Sequence, residues 1–242
     1  SYHGKSFGAL SLTFNPKYRK AFSPLVEKVS FASFGDMDSL RSVIDEDTAF
    51  IILEPIQGES GIIVAPDGFL QEVRKLCDEK GILLIFDEIQ AGLGRTGKMW
   101  AHQHWDTAPD ILCLAKGIAG GVPMGATLVK PDILDCISKG EHSSTFGGNP
   151  LSCAAGTATI QALTQDKLVE NSANMGKLFR QGLDQLKEKH SVIREVRGKG
   201  LMIGVELKFE VKDILMEGIE KGLLLLYSGR NILRLLPPLV IT

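Results

Sequence analysis

The sequence predicts an α/β protein: a mainly parallel sheet flanked by helices, with a smaller α/β domain at the C-terminal end. Three observations carry that reading. Residues 49–53, 82–86 and 111–114 are continuous apolar runs, the pattern of strands buried on both faces. A helical stretch at 69–80 separates the first two runs. Strand–helix–strand order calls for parallel pairing with right-handed crossovers. From residue 192 onward, short apolar runs alternate with a single helix, which marks a second unit.

Taken in order, residues 1–35 read as loop-rich, with a short helix at 16–21. Asp36 is placed to cap a helix running to residue 44. The strand at 49–53 stops at Glu54-Pro55, where proline removes a ladder donor. Pro66-Asp67-Gly68 opens a helix to Lys80, with Phe69, Val73 and Leu76 on one face and Gly81 as C-cap. The next strand runs into Asp87, and the one after it runs through Ala115 into Lys116. Residues 124–129 form a further strand. Asn149-Pro150 begins a long helical region reaching His190, broken near Asp166. Strands at 201–207, 223–226 and 232–236 and a helix at 211–221 follow. The chain divides into a large domain (1–150), a connecting helical region (151–190) and a small C-terminal domain (191–242).

The 242 residues can bury a sizeable core. Apolar content of 44% and charged content of 23% are ordinary for a soluble protein. A net charge of −2 gives no electrostatic case for nucleic acid or an anionic membrane. No apolar run reaches the roughly 20 residues a spanning helix needs. The four cysteines are scattered without a CxxC pair, which suits a reducing, cytoplasmic compartment. The chain begins without Met, so the lack of a visible signal peptide says little.

Chemistry concentrates where strands end. In open α/β sheets the carboxyl ends of the strands line the ligand crevice, so Asp87 and Lys116 are aimed into one pocket. An acid there needs a cation or donor. Lys116 reads either as a surface lysine or as a desolvated amine of lowered pKa suited to Schiff-base chemistry. Arg234, alone among apolar residues, needs a buried acid or a ligand carboxylate held bidentately. Glu54 and Glu59 are candidate protein partners. The hydroxyl- and glycine-rich stretch 143–150 is either an N-capping loop or an anion site.

Two motifs are set aside. Residues 92–97 fit GxGxxG but lead into a poor helix opening, and Met99 stands where a P-loop needs Ser or Thr. They read as a tight structural loop. His102 and His104 have no third ligand at metal spacing and read as loop residues.

Six segments in order resemble the class III aminotransferases, pyridoxal-phosphate (PLP) enzymes of fold type I. They are Tyr2-His3-Gly4, Glu54-Pro55-Ile56-Gln57-Gly58-Glu59, Phe86-Asp87-Glu88-Ile89-Gln90 with Gly94-Arg95-Thr96-Gly97, Leu114-Ala115-Lys116-Gly117, the stretch from Ser144 to Leu151, and the stretch from Arg234 to Leu239. The resemblance implies that Lys116 is the Schiff-base lysine and proton shuttle. It implies that Asp87 pairs with the pyridinium nitrogen of pyridoxal 5'-phosphate, that Gln90 sits near the ring's phenolic oxygen, and that Tyr2 stacks on the ring. Ser144 and Thr145 would reach the cofactor phosphate of a partner subunit, making a homodimer. Glu59 and Arg234 resemble the switch pair, in which Arg234 takes a substrate carboxylate and Glu59 masks it otherwise.

Two departures qualify the match. The upstream phosphate-binding turn of the family is absent, and the chain stops soon after Pro238, so it reads as a fragment lacking the N-terminal part, with an incomplete C-terminal domain. Lys5 stands where many acetylornithine and ornithine members carry arginine, which removes a bidentate fork and brings Lys5 to Leu10 closer to the diamine branch. The resemblance implies transfer of the terminal amino group of an ornithine-, N-acetylornithine- or lysine-like donor to 2-oxoglutarate. The alternatives within the class are a putrescine or 4-aminobutyrate aminotransferase, or a racemase or mutase. Outside it stands a non-catalytic binding module on the same fold.

Overall fold

The computed structural model describes residues 1–242. Helices α1 (Phe7–Leu12), α2 (Pro16–Arg19) and α3 (Met37–Arg41) precede the first strand, β1 (Phe50–Leu53). A two-stranded ribbon, β2 (Ile56–Gln57) and β3 (Ile63–Val64), follows, then α4 (Phe69–Lys80) and β4 (Leu83–Asp87). After these come β5 (Ile111–Leu114), β6 (Ala126–Val129), α5 (Pro131–Leu134), α6 (Pro150–Gln165) and α7 (Leu168–Lys189). The chain closes with β7 (Ile193–Lys199), β8 (Met202–Leu207), α8 (Lys212–Glu220), β9 (Leu226–Ser228) and β10 (Ile232–Leu235).

The first large sheet has the order β1-β4-β5-β6. β1 and β4 pair in parallel, as do β4 and β5. α4 is the crossover between β1 and β4. It ends on Gly81 at φ +68°, a left-handed cap that suits glycine. Its face of Phe69, Leu70, Val73, Leu76 and Cys77 is buried, in one core with Leu84, Phe86 and Ile56. β6 pairs antiparallel with β5. Only residues 115–125 separate them, too few for the helical crossover that a parallel return needs. At the amino end of the sheet the Asp110 carboxylate accepts the Leu84 N–H at 2.7 Å and holds Arg74 at 2.7 Å and Lys130 at 2.6 Å.

The second sheet, β7-β8-β10-β9, is antiparallel throughout. It has its own small core of Val196, Ile203, Val205, Leu207 and Val211. The long helical region is broken as expected, between α6 and α7, and Asn149 caps α6 by accepting the Ser152 N–H at 2.9 Å. No helix is long and apolar enough to cross a membrane.

Four local expectations are corrected. The helix capped by Asp36 stops at Arg41, ahead of the β-branched Val43 and Ile44. α1 forms where a loop was expected. β7 forms although four of its seven residues are charged, because Arg194 and Arg197 pair with Glu206 on β8 at 2.7 and 2.8 Å. The apolar run at 223–226 is largely exposed, with Leu224 85% accessible. The strand starts only at Leu226 and ends at the buried Ser228.

α7 meets the turn between β7 and β8 through bare backbone, and that turn meets the loop at Thr96 in the same way. A Cβ on Gly176 would stand 2.3 Å from the Gly200 carbonyl carbon, and one on Gly200 would stand 2.3 Å from that of Thr96. Gly176→Ala therefore destabilises by about 3 kcal/mol through overpacking. Gly182→Ala, where the added Cβ meets nothing within 4 Å, stabilises by up to about 1 kcal/mol. Urea midpoints of the two variants measure the contrast.

Candidate active site

The carboxyl ends of β1, β4 and β5 carry three nearly buried acids and one lysine. Asp87 closes β4, 5% accessible. Its Oδ1 accepts the Ile89 N–H at 3.0 Å and its Oδ2 lies 2.9 Å from His3 Nδ1. An ionised carboxylate can only accept, so in that state the proton of this bond belongs to His3 Nδ1. The other ring nitrogen of His3, Nε2, is buried without a partner. Thr13 holds the His3 backbone, with Oγ1 accepting the His3 N–H at 2.9 Å.

Glu54, at the end of β1, is 3% accessible. Its two oxygens accept the Tyr2 N–H at 3.1 Å and the Gly58 N–H at 3.0 Å. Burial pushes its pKa up, opposed by those two backbone bonds. One side chain thus ties the chain's first residues to the turn carrying Glu59. Glu88 points away from this cleft. It is 1% accessible and accepts from the Ala101 and His102 N–H groups at 2.6 and 2.8 Å, with His102 Nδ1 at 2.7 Å.

Lys116 follows β5 at φ +49°, at the start of a single 3₁₀ turn. The residue as a whole is exposed, yet the atoms walled around its amine desolvate it and lower its pKa. The carboxylates of Glu59, Asp87 and Glu54 act in the opposite sense, and Arg234 adds to the lowering. The groups expected at one pocket therefore act on one amine.

The Glu59–Arg234 pairing is present: Nη1 of Arg234 lies 2.8 Å from Glu59 Oε1 and donates to the Gly58 carbonyl at 3.3 Å. Of the two candidate acids for Arg234, the fold presents Glu59, since Glu54 is occupied by backbone donors. The Arg234 side chain is 11% accessible and its Nε is buried without a partner. Gln90 lies flat against Gly58, where a Cβ would come within 2.3 Å of its Oε1. Tyr2 stands edge-on to Tyr18 at 5.8 Å, and the exposed Lys5 places its ammonium 5.2 Å from the centre of that second ring. Ser144 and Thr145 are not brought to the cleft of this chain. They are exposed on the turn before α6, beside Phe146 at 80% accessibility.

Residues 92–97 form turns rather than a helix opening, and Arg95 donates to the carbonyls of Leu201 and Pro237. His104 Nε2 lies 3.0 Å from the Thr96 carbonyl oxygen. Sequence reasoning gave His3 no role and offered Glu54 only as an acid for Arg234, whereas it serves backbone donors. His3 had a signal, its place beside Tyr2, but the acid it meets lies 84 residues on.

A family model described as Aminotransferase class-III matches residues 1–242. The acetylornithine aminotransferase of Caldanaerobacter subterraneus subsp. tengcongensis is 45% identical over 243 residues, covering 100% of this chain and 62% of that protein. Ornithine aminotransferase 1 of Staphylococcus saprophyticus is 45% identical, covering 100% and 61%. Among solved structures, an ornithine aminotransferase from Toxoplasma gondii, described as having partial occupancy of PLP at its active site, superposes with a TM-score of 0.96. It is 36% identical and covers 100% of this chain and 58% of that one. The chain spans about three fifths of the length of the curated relatives it matches.

The desolvated amine has a measurable consequence. Its rate of acylation against pH should turn on at lower pH than that of N-acetyl-lysine amide, because burial disfavours the charged form. Peptide mapping after limited acylation, with Lys116→Arg as the control, reads it. A midpoint at or above the free-lysine value would contradict the desolvation.

Proposed function

The chain belongs to the class-III aminotransferases, with the type I fold of PLP-dependent transferases, and on that premise we propose that it moves the terminal amino group of an ornithine-, N-acetylornithine- or lysine-like donor to 2-oxoglutarate. The observation that carries this reading is Arg234. Its guanidinium is almost buried, keeps Nε unpartnered, and is met by one half-exposed acid, Glu59. That arrangement suits a substrate carboxylate taking over from Glu59, because a planar fork binds carboxylates bidentately.

The donor set fits pyridoxal 5'-phosphate: a buried carboxylate for a ring nitrogen, a desolvated amine for a carbonyl carbon, and an aromatic side chain on the flank. When bound, PLP supplies an electron sink for charge developing on the substrate carbon. Asp87 would hold the positive ring nitrogen, with His3 Nδ1 orienting that carboxylate. Lys116 Nζ would bind the cofactor and move a proton to and from the donor's amino-bearing carbon. Tyr2, kept in place by its N–H bond to Glu54, would cover a ring face. Gln90 would serve the ring's phenolic oxygen. Ser144 and Thr145, exposed and unused within this chain, suit the phosphate of a partner subunit's cofactor in a homodimer. Residues 1–150 belong to the cofactor domain, 151–190 connect, and 191–242 form the small domain. Four free thiols suit a cytoplasmic setting.

A diamine donor such as putrescine is the second reading, favoured by Lys5, whose ammonium is engaged with the Tyr18 ring and carries no fork for a second carboxylate.

Two variants test the assignment. In the full-length protein, wild type should gain a near-visible PLP absorbance that borohydride fixes to the protein, and Lys116→Ala should not. Arg234→Ala should raise KM for 2-oxoglutarate about a hundredfold. It should weaken an α-carboxylate donor similarly but spare a diamine. Unchanged half-reactions in Arg234→Ala would remove the role given to that residue.

A further inference from the structure

The turn from Gly58 to Ile62, which carries Glu59, lies on the face of the second sheet. Arg197 on β7, Gly204 on β8 and Arg234 on β10 are paired directly across three strands. Residues so paired share a face. The turn rests on the middle of that row. A Cβ on Gly204 would stand 3.0 Å from the Gly61 carbonyl oxygen, so glycine there lets the backbones meet.

The two arginines are used differently. Arg197 donates through Nε to the Gly61 carbonyl at 2.8 Å, and its Nη1 is held by Glu195 at 2.6 Å and Glu206 at 2.8 Å. Its Nε and Nη1 are taken up by acceptors of the protein itself. Arg234 keeps Nε unpartnered. On the next row, Ser228 lies opposite Ile232 and donates through Oγ to the Glu59 carbonyl. Ser228 is buried, at 5% accessibility, whereas the Glu59 side chain is 41% accessible. The backbone of the turn is gripped at Glu59 and at Gly61, while the half-exposed carboxylate reaches Arg234.

We propose that Arg197 and Ser228 are positioning residues for the Glu59–Arg234 pair. They pin the carbonyls of Gly61 and Glu59 to the sheet, so that Glu59 leaves and regains Arg234 by side-chain rotation over a fixed backbone. The inference rests on the reading of Arg234 as the substrate-carboxylate site. A pinned Glu59 is a constant local competitor for Arg234, in effect a tethered ligand whose strength depends on how well its backbone is held. Loosening either pin weakens that competitor and opens Arg234 to other carboxylates.

Calorimetric titration of the PLP-loaded full-length protein with glutarate, a dicarboxylate that cannot react, tests this. Ser228→Ala and Arg197→Lys should each bind glutarate about three- to tenfold more tightly than wild type. In a Glu59→Gln background the same substitutions should change nothing, because the competitor they position is gone. Thermal melts confirm that each variant is folded. Glutarate affinity unchanged or weakened in both variants, or an equal change with Glu59 already replaced, overturns the pinning role. If Arg234→Ala binds glutarate as wild type does, or wild type does not bind it, the underlying reading of Arg234 fails instead.

Discussion

The architecture of the cleft turns on the desolvation of carboxylates at strand ends. Glu54, Asp87 and Glu88 are each 5% accessible or less, and a buried acid is costly unless donors meet it. Each acid recruits a different distant segment. Glu54 draws in Tyr2 and Gly58, Asp87 draws in His3, and Glu88 draws in residues 101–102. Leaving one such buried oxygen without its donor costs about 1–3 kcal/mol, more where the group is charged, so loops without regular structure are fixed to the strand ends they adjoin. The cleft is what remains between segments fixed in this way. The same constraint explains the division of labour at the end of β4, where two neighbouring acids face opposite sides: Asp87 turns to the cleft, and Glu88 braces the loop behind it.

What could be read from the chain followed burial. β1, β4 and β5 announce themselves because each is a continuous apolar run, interrupted only by Asp87 at the end of β4. The capped helices are legible because Gly81 and Asn149 do local jobs that few other residues do as well. β7 is illegible for the opposite reason: its arginines are neutralised only once the hairpin with β8 forms and brings Glu206 across from them. The antiparallel setting of β6 follows from the length of its connection, a cue as accessible as hydrophobicity and easily passed over. The run at 223–226 misleads because apolarity without a covering layer makes no strand.

At the site, Lys116, Asp87, Glu59 and Arg234 could be singled out because each is a charged residue beside or within an apolar run or a recurring motif. His3 drew no role and Glu54 was offered as a partner for Arg234 instead, since their actual contacts lie 84 and 52 residues away in sequence. The charged residues at the strand ends were visible in the chain, and the distant residues that hold them were not.

The contacts around Glu59 also impose an order in time. Its carbonyl meets Ser228 across 169 residues and its carboxylate meets Arg234 across 175, whereas Glu54 meets Tyr2 across only 52. At roughly 5–20 residues per second on the ribosome, the Asp87 side of the cleft can assemble while Arg234 is still to be synthesised. Glu59 then waits roughly 10–35 s for its partner. In the later part of that interval, once β6 has emerged, the nascent chain holds a finished first sheet without the Glu59–Arg234 contact, and the last strands to emerge are those that supply it.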